Sequence, residues 1–207
     1  MVIWENQIKM EKTKLEGIID WPTLTTVKQV QSFLGFENFY RKFIGHYVNI
    51  AQPLNDLMKK DLPWNWTTNC QQAFDDLKAA FVEAPILLMP DTVKPFVVES
   101  DTSKWTTGGV LRPQDDNRDW YPCSFISHSF NQMERNYEIY NCELLGIVHA
   151  LKTWCHYLQG SQFPTVILLD HKNLTYFWTA QKLNHRQAHW SLFLSEFNLK
   201  FVRHPKS

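Results

Sequence analysis

Three carboxylates in this sequence stand where chemistry could be done. Asp101 follows the apolar run 95–100 (PFVVES), and Asp170 follows 165–169 (TVILL). Both runs are rich in β-formers, and sites in α/β folds gather at the carboxyl ends of strands. Glu143 falls in the first turn of the strongest helical pattern, 140–158, where the helix dipole favours an ionised side chain. Ionised carboxylates converging on one edge repel and need cations. Oxygen donors without histidine or thiolate among them select Mg²⁺ or Mn²⁺ over zinc. Spacing alone also fits a plainer reading, and favours it: an aspartate after a strand as turn former or helix cap, a glutamate as dipole partner.

The elements that must position these residues fall into two parts. In the first, residues 26–29 (TVKQ) resemble a capping box, followed by Val27, Val30, Phe33, Leu34, Tyr40, Phe43 and Ile44 at helical spacing. A second helix is predicted from Thr67, with Cys70, Phe74, Leu77 and Phe81 on one face, stopping before Pro85. The second part changes period. Strands are predicted at 95–100, 107–111 and 121–127, with a polar turn at 115–118 between the last two. Leu144, Ile147, Val148, Leu151, Trp154 and Leu158 form the stripe of the long helix, which Gly160 stops. A strand at 165–169, a helix at 185–197 and a strand at 198–202 complete an α/β layer with a mixed sheet. Gly108-Gly109 signals close packing or a bulge within a strand.

Composition sets the bounds. A chain of 207 residues with 44% hydrophobic and 20% charged residues can bury one large core or two small ones. Nine tryptophans and fourteen phenylalanines point to a core built on large rings rather than a base-stacking surface. Lysine plus arginine equals aspartate plus glutamate at 21 each, which argues against a stand-alone nucleic-acid binder. No secretory signal or membrane-spanning run is present, and Cys70, Cys123, Cys142 and Cys155 form no C-x-x-C pair. Reduced thiols in a cytoplasmic or nuclear protein are expected.

Several strings carry a resemblance. Residues 26–44 (TVKQVQSFLGFENFYRKFI), 53–61 (PLNDLMKKD), 70–81 (CQQAFDDLKAAF) and 84–86 (API) resemble the segment that follows the polymerase palm in gypsy-type retrotransposon polyproteins. Residues 94–111, 134–158, 168–177 and 183–197 resemble the RNase H domain that comes next in those proteins. The resemblance implies an RNase H-like mixed five-stranded sheet flanked by helices at 91–207. A small, mainly helical connection or thumb-like module of the reverse transcriptase is implied at 1–90. It implies hydrolysis of the RNA strand of RNA–DNA hybrids by two Mg²⁺ ions, or Mn²⁺. The strand-ending aspartate of the family falls on Asp101, the glutamate of its E-L-L-A-I helix on Glu143, and the aspartate of its D-H-K-N-L motif on Asp170. Upstream reverse transcriptase domains in a full polyprotein are the implied protein partners, and no membrane is involved.

Departures from the family are visible too. Thr102 stands where the family usually has alanine, and Asn141-Cys142 precede Glu143 where an acidic–basic pair is common. The family's fourth metal-binding aspartate lies in an A-D-A-L-S-like string that is absent before Ser207, so the site is expected to be one carboxylate short. The paired aspartates of the polymerase are also absent, and no polymerase activity is expected. The alternative is an impaired or co-opted remnant that keeps the fold as a binding module. Ser103, His171, Asn173, Lys182 and Arg186 are candidate contacts to a hybrid backbone. Lys172, Lys200 and Arg203 extend a loose basic set that fits a solvated face equally well. His185 and His189 sit at i, i+4 without an H-E-x-x-H signature and read as a surface pair.

Overall fold

Helix starts are written locally. Thr26 caps helix α2 (Val27–Tyr40), its hydroxyl accepting from the Gln29 N–H at 3.3 Å. The Gln29 side chain reaches one residue further back than expected and accepts from the Thr25 N–H at 2.7 Å. The reciprocal box is therefore present with its return arm shifted. Thr67 caps α4 (Thr68–Val82) in the same way, and Cys70, Phe74, Leu77 and Phe81 are buried as the spacing predicts.

The computed structural model describes residues 1–4, 6–60, 63–169 and 183–203. Its first part also holds helices α1 (Lys12–Ile19) and α3 (Tyr47–Asp56), which periodicity did not reveal. The apolar series behind Thr26 outruns its helix: Phe43 closes a 3₁₀ turn (Arg41–Phe43) and Ile44 follows it, both buried. A small antiparallel sheet accompanies these helices. It orders β1 (Val2–Trp4), β2 (Gln7–Lys9) and β3 (Leu87–Leu88) side by side. Phe33, Phe74, Leu77, Leu54 and Leu87 belong to one buried cluster at its centre.

The second part is built on β4 (Phe96–Thr102), β5 (Thr106–Pro113), β6 (Ser124–Ser129), β7 (Thr165–Leu169) and β8 (Leu199–Arg203). The strand order is β6-β5-β4-β7-β8. β5 runs antiparallel to β4 and β6, while β7 is parallel to β4 and β8 parallel to β7. Parallel neighbours need a crossover, and helix α5 (Ile139–Leu158) provides the one between β6 and β7. The predicted stripe of α5 is buried against one face of the sheet, with Phe96, Val98, Leu111, Ile167 and Leu169 in the same cluster. Helix α6 (His185–Leu194) adds Leu194 to that cluster. The mixed five-stranded sheet with flanking helices is the architecture the sequence predicts.

The helical part meets the opposite face of the sheet. A Cβ on Gly45 would lie 3.5 Å from Phe125 of β6, and the Val48 N–H donates to the Ser127 hydroxyl at 3.1 Å. Gly108 is closely packed here: a Cβ on it would come 3.1 Å from His46 Nδ1. Gly109 is equally confined, 3.2 Å from the Glu99 carbonyl oxygen. The glycine pair is thus a close-packing device. No helix among the described residues is long and apolar enough to cross a membrane.

Candidate active site

Strand alternation and one glycine contact define the site. Ser100 and Thr102 of β4 turn toward α5, since a Cβ on Gly146 would lie 2.9 Å and 2.8 Å from their hydroxyl oxygens. The same atom would lie 2.5 Å from Thr107 Oγ1 on β5. Helix backbone and strand end are therefore in direct contact. Glu143 lies three residues before Gly146, on the same helix face and one turn nearer the amino end, where it is half-buried. Asp101 sits between Ser100 and Thr102 and so faces the other way. There it lines a groove of about 190 Å³ with His46, Glu99 and Arg112. The two carboxylates reach the end of β4 from its two sides.

The local charges suit a cation. Arg112 is engaged by Glu99 at 3.2 Å, and among the described residues no cation is paired with Asp101. Asp101 is exposed. Asp101 and Glu143 offer only carboxylate oxygens, the donor set of Mg²⁺ and Mn²⁺. One expectation changes: α5 starts at Ile139, which places Glu143 in the second turn, and its first turn holds no acidic residue. The dipole's help fades beyond the first turn, so burial beside the strand rather than the dipole sets the surroundings of Glu143. β7 ends at Leu169 and pairs in parallel with β4, Leu168 opposite Glu99, which brings the chain to the same end of the sheet. Asp170, His171, Asn173 and Lys182 lie outside the described residues.

Two other candidates have defined local roles. The Ser103 hydroxyl accepts from the N–H groups of Trp105 and Thr106, at 3.2 and 3.1 Å, and so folds the tight β4–β5 hairpin beside Asp101. Arg186 is half-buried, its guanidinium 3.6 Å from the centroid of Tyr137 and 5.5 Å from that of Trp190. It works as a pillar between α6 and the start of α5. Beside it, Gln187 completes a capping box with Asn184 and donates to Asn141 Oδ1 at 3.0 Å, docking α6 on the α5 turn before Glu143.

Residue types alone did not mark two further groups at the site. Trp105, on the hairpin after Asp101, is 54% exposed. The charges of Lys104 and Arg135 lie 5.2 Å and 5.1 Å from its ring centroid. This exposed ring between two cations stands apart from the core, where Phe33, Phe74, Phe96 and Trp154 are buried as the composition predicts. His46, from the helical part, enters the Asp101 groove through the space Gly108 leaves, and no sequence pattern links them.

Known proteins share this fold. Residues 66–165 match the family described as the RNase H-like domain found in reverse transcriptase. The Tf2-3 and Tf2-7 transposon polyproteins of Schizosaccharomyces pombe are each 35% identical over 195 residues, covering 93% of this chain. The chain spans 15% of the length of those polyproteins. Among solved structures, a foamy viral protease-reverse transcriptase in complex with dsDNA superposes with a TM-score of 0.80 at 19% identity, covering all of this chain and 45% of that one. The same viral protein in complex with RNA/DNA hybrid gives 0.74 at 21% identity, covering 96% and 27%. Over residues 66–165 the chain thus matches the RNase H-like domain found in reverse transcriptase, and over 195 residues, helical segment included, it is similar to retrotransposon polyproteins.

Proposed function

We propose that this chain is the nuclease end of a retrotransposon reverse transcriptase and hydrolyses the RNA strand of RNA–DNA hybrids. The observation that carries the reading is the delivery of Asp101 and Glu143 to one end of β4, from its two faces, by the contact of Gly146 with Ser100 and Thr102. With Asp170 they form the proposed holder of two Mg²⁺ ions, or Mn²⁺. Bound there, the metal supplies Lewis-acid activation of water and neutralises charge developing on the phosphate.

The chain's own residues do the rest. Asp101 and Glu143 supply the carboxylate oxygens that fix where the cation sits. Trp105, with Lys104 and Arg135 beside it, offers a ring and two positive charges to the backbone and sugars of a bound strand. Selectivity for RNA comes from 2′-hydroxyls in the shallow minor groove of the hybrid. Binding of an RNA/DNA hybrid by the foamy viral neighbour supports the same choice of substrate. We divide the chain near residue 90 into a connection-like module and the RNase H-like domain. Upstream reverse transcriptase domains would supply the basic surface that a net charge of zero withholds.

The test is substrate discrimination. The purified chain is incubated with Mg²⁺ or Mn²⁺ and an RNA–DNA hybrid, double-stranded RNA, double-stranded DNA or single-stranded RNA. Cleavage of the RNA strand in the hybrid alone is expected. Binding of the hybrid with no cleavage would instead assign the chain to a binding role, and equal cleavage of double-stranded RNA would contradict the reading.

A further inference from the structure

A second group of metal-ligating side chains lies away from the carboxylates. His149 is six residues beyond Glu143 on α5, about 9 Å along the axis at 1.5 Å per residue. His128 is on edge strand β6, opposite Thr107, and Glu134 opens the 3₁₀ turn Glu134–Asn136. The ligand-capable atoms of these three residues all lie within 4.8 Å of one another. The two imidazoles are stacked, with centroids 4.2 Å apart and planes 30° from parallel.

The surroundings favour a ligand over a bare packing contact. His149 Nε2 is buried and has no hydrogen-bond partner. A buried imidazole nitrogen without a partner is costly to leave as it is. Burial, with His128 and Lys152 adding to it and Glu134 opposing, pushes the His149 pKa down to about 4. Glu134 is held in place: its Oε2 accepts from the Asn131 N–H at 2.8 Å, and Asn131 Oδ1 accepts from the N–H groups of Met133 and Glu134. Carboxylates anchored like this are typical of metal ligands.

We propose that His128, Glu134 and His149 form a binding site for one divalent transition ion of the zinc type, separate from the carboxylate site. Two imidazoles and a carboxylate are a zinc donor set, with a fourth position left for water. A tetrahedral ion at about 2.1 Å from nitrogen needs donors roughly 3.4 Å apart and lies in the plane of each ring. The exposed His128 therefore turns out of its stack on His149, and the side chains draw in by up to about 1.4 Å on binding. The site adjoins a cavity of about 270 Å³ that Arg41 and Lys42 line together with His128 and His149. Their charges, with Lys152, weaken cation binding and favour an anion such as hydroxide in the fourth position. The bound ion would clip edge strand β6, the 3₁₀ turn and α5 together.

The experiment titrates the chelator-stripped chain with Co²⁺, followed by its visible spectrum, and then displaces the cobalt with Zn²⁺. One tight equivalent is expected, ahead of the weaker binding at the carboxylates, with the bands of a nitrogen- and oxygen-ligated ion and no thiolate-to-cobalt charge transfer. His128→Ala and His149→Ala should each weaken binding at least about tenfold. His185→Ala should leave it unchanged. His128 is exposed, so its variant keeps the fold, checked by circular dichroism without metal. Absence of binding, a thiolate band, indifference to His128→Ala, or loss on His185→Ala would each overturn the site.

Discussion

Gly146 of α5 rests directly on Thr102 of β4: a single methyl group on Gly146 would stand 2.8 Å from the Thr102 hydroxyl oxygen. The missing side chain on the helix leaves room for the hydroxyls on the strand, and the contact seats Glu143 next to the end of β4. Thr102 and Thr107 also share a hydrogen bond at 3.0 Å, so the strand side of the contact is rigid.

Gly146→Ala therefore has a definite sign. On an open helix the change would stabilise by up to about 1 kcal/mol. Here overpacking against Thr107, Thr102 and Ser100 should destabilise by about 1–3 kcal/mol. Thr107→Ala, which removes the closest obstacle, should recover part of the loss in the double variant. Urea unfolding of the two single variants and the double variant reads this out. A Gly146→Ala chain more stable than the original would show that helix and strand are not in contact.

A pH dependence should come from the helical part. Glu37 is fully buried in α2, and desolvation pushes its carboxyl up to about 9, with the Tyr47 phenol nearby opposing. Neither carboxyl oxygen reaches good hydrogen-bond geometry. An acid whose pKa is raised in the fold contributes its stability fully below its unfolded value of about 4.5, and the contribution is lost as pH rises toward 9. At about 1.36 kcal/mol per unit, the loss between pH 4.5 and 7 is of order 3 kcal/mol. Thermal melts of Glu37→Gln against the original chain should diverge steadily over that range. Parallel curves would contradict it.

The hairpin beside Asp101 should contribute affinity. Trp105→Ala is expected to weaken hybrid binding by about 1 kcal/mol, roughly fivefold, with little change in stability because the ring is exposed. Lys104→Ala and Arg135→Ala should each lower the salt dependence of binding by about one phosphate contact. Fluorescence anisotropy over a salt series measures both, and unchanged slopes would remove the hairpin from the binding surface.

Much of this was legible in the sequence because it rests on local rules. The stripe from Leu144 to Leu158 and the strand at Thr165–Leu169 follow from side-chain period, and the Thr67 cap from its hydroxyl. Helix α3 was not legible because Pro53 interrupts its pattern and His46 starts it from a left-handed conformation (φ 54°). α5 starts at Ile139, one residue before the period predicts, and that residue takes Glu143 out of the first turn. Long-range features left no local trace: His46 in the Asp101 groove, Trp105 between two cations, and His128 stacked on His149 join elements distant in sequence. The resemblance located Asp101 and Glu143, and the fold then showed that they come to β4 from opposite faces.

The most direct measurement of the central claim is the rate of hybrid cleavage by Asp101→Asn and Glu143→Gln chains in Mg²⁺, each paired with a thermal melt. The account predicts that both variants lose at least about a hundredfold in rate, as expected when a charge-stabilising group is removed, while their melting temperatures stay within a few degrees of the original. Cleavage that persists in either variant at the original rate would show that these carboxylates are not where the reaction happens.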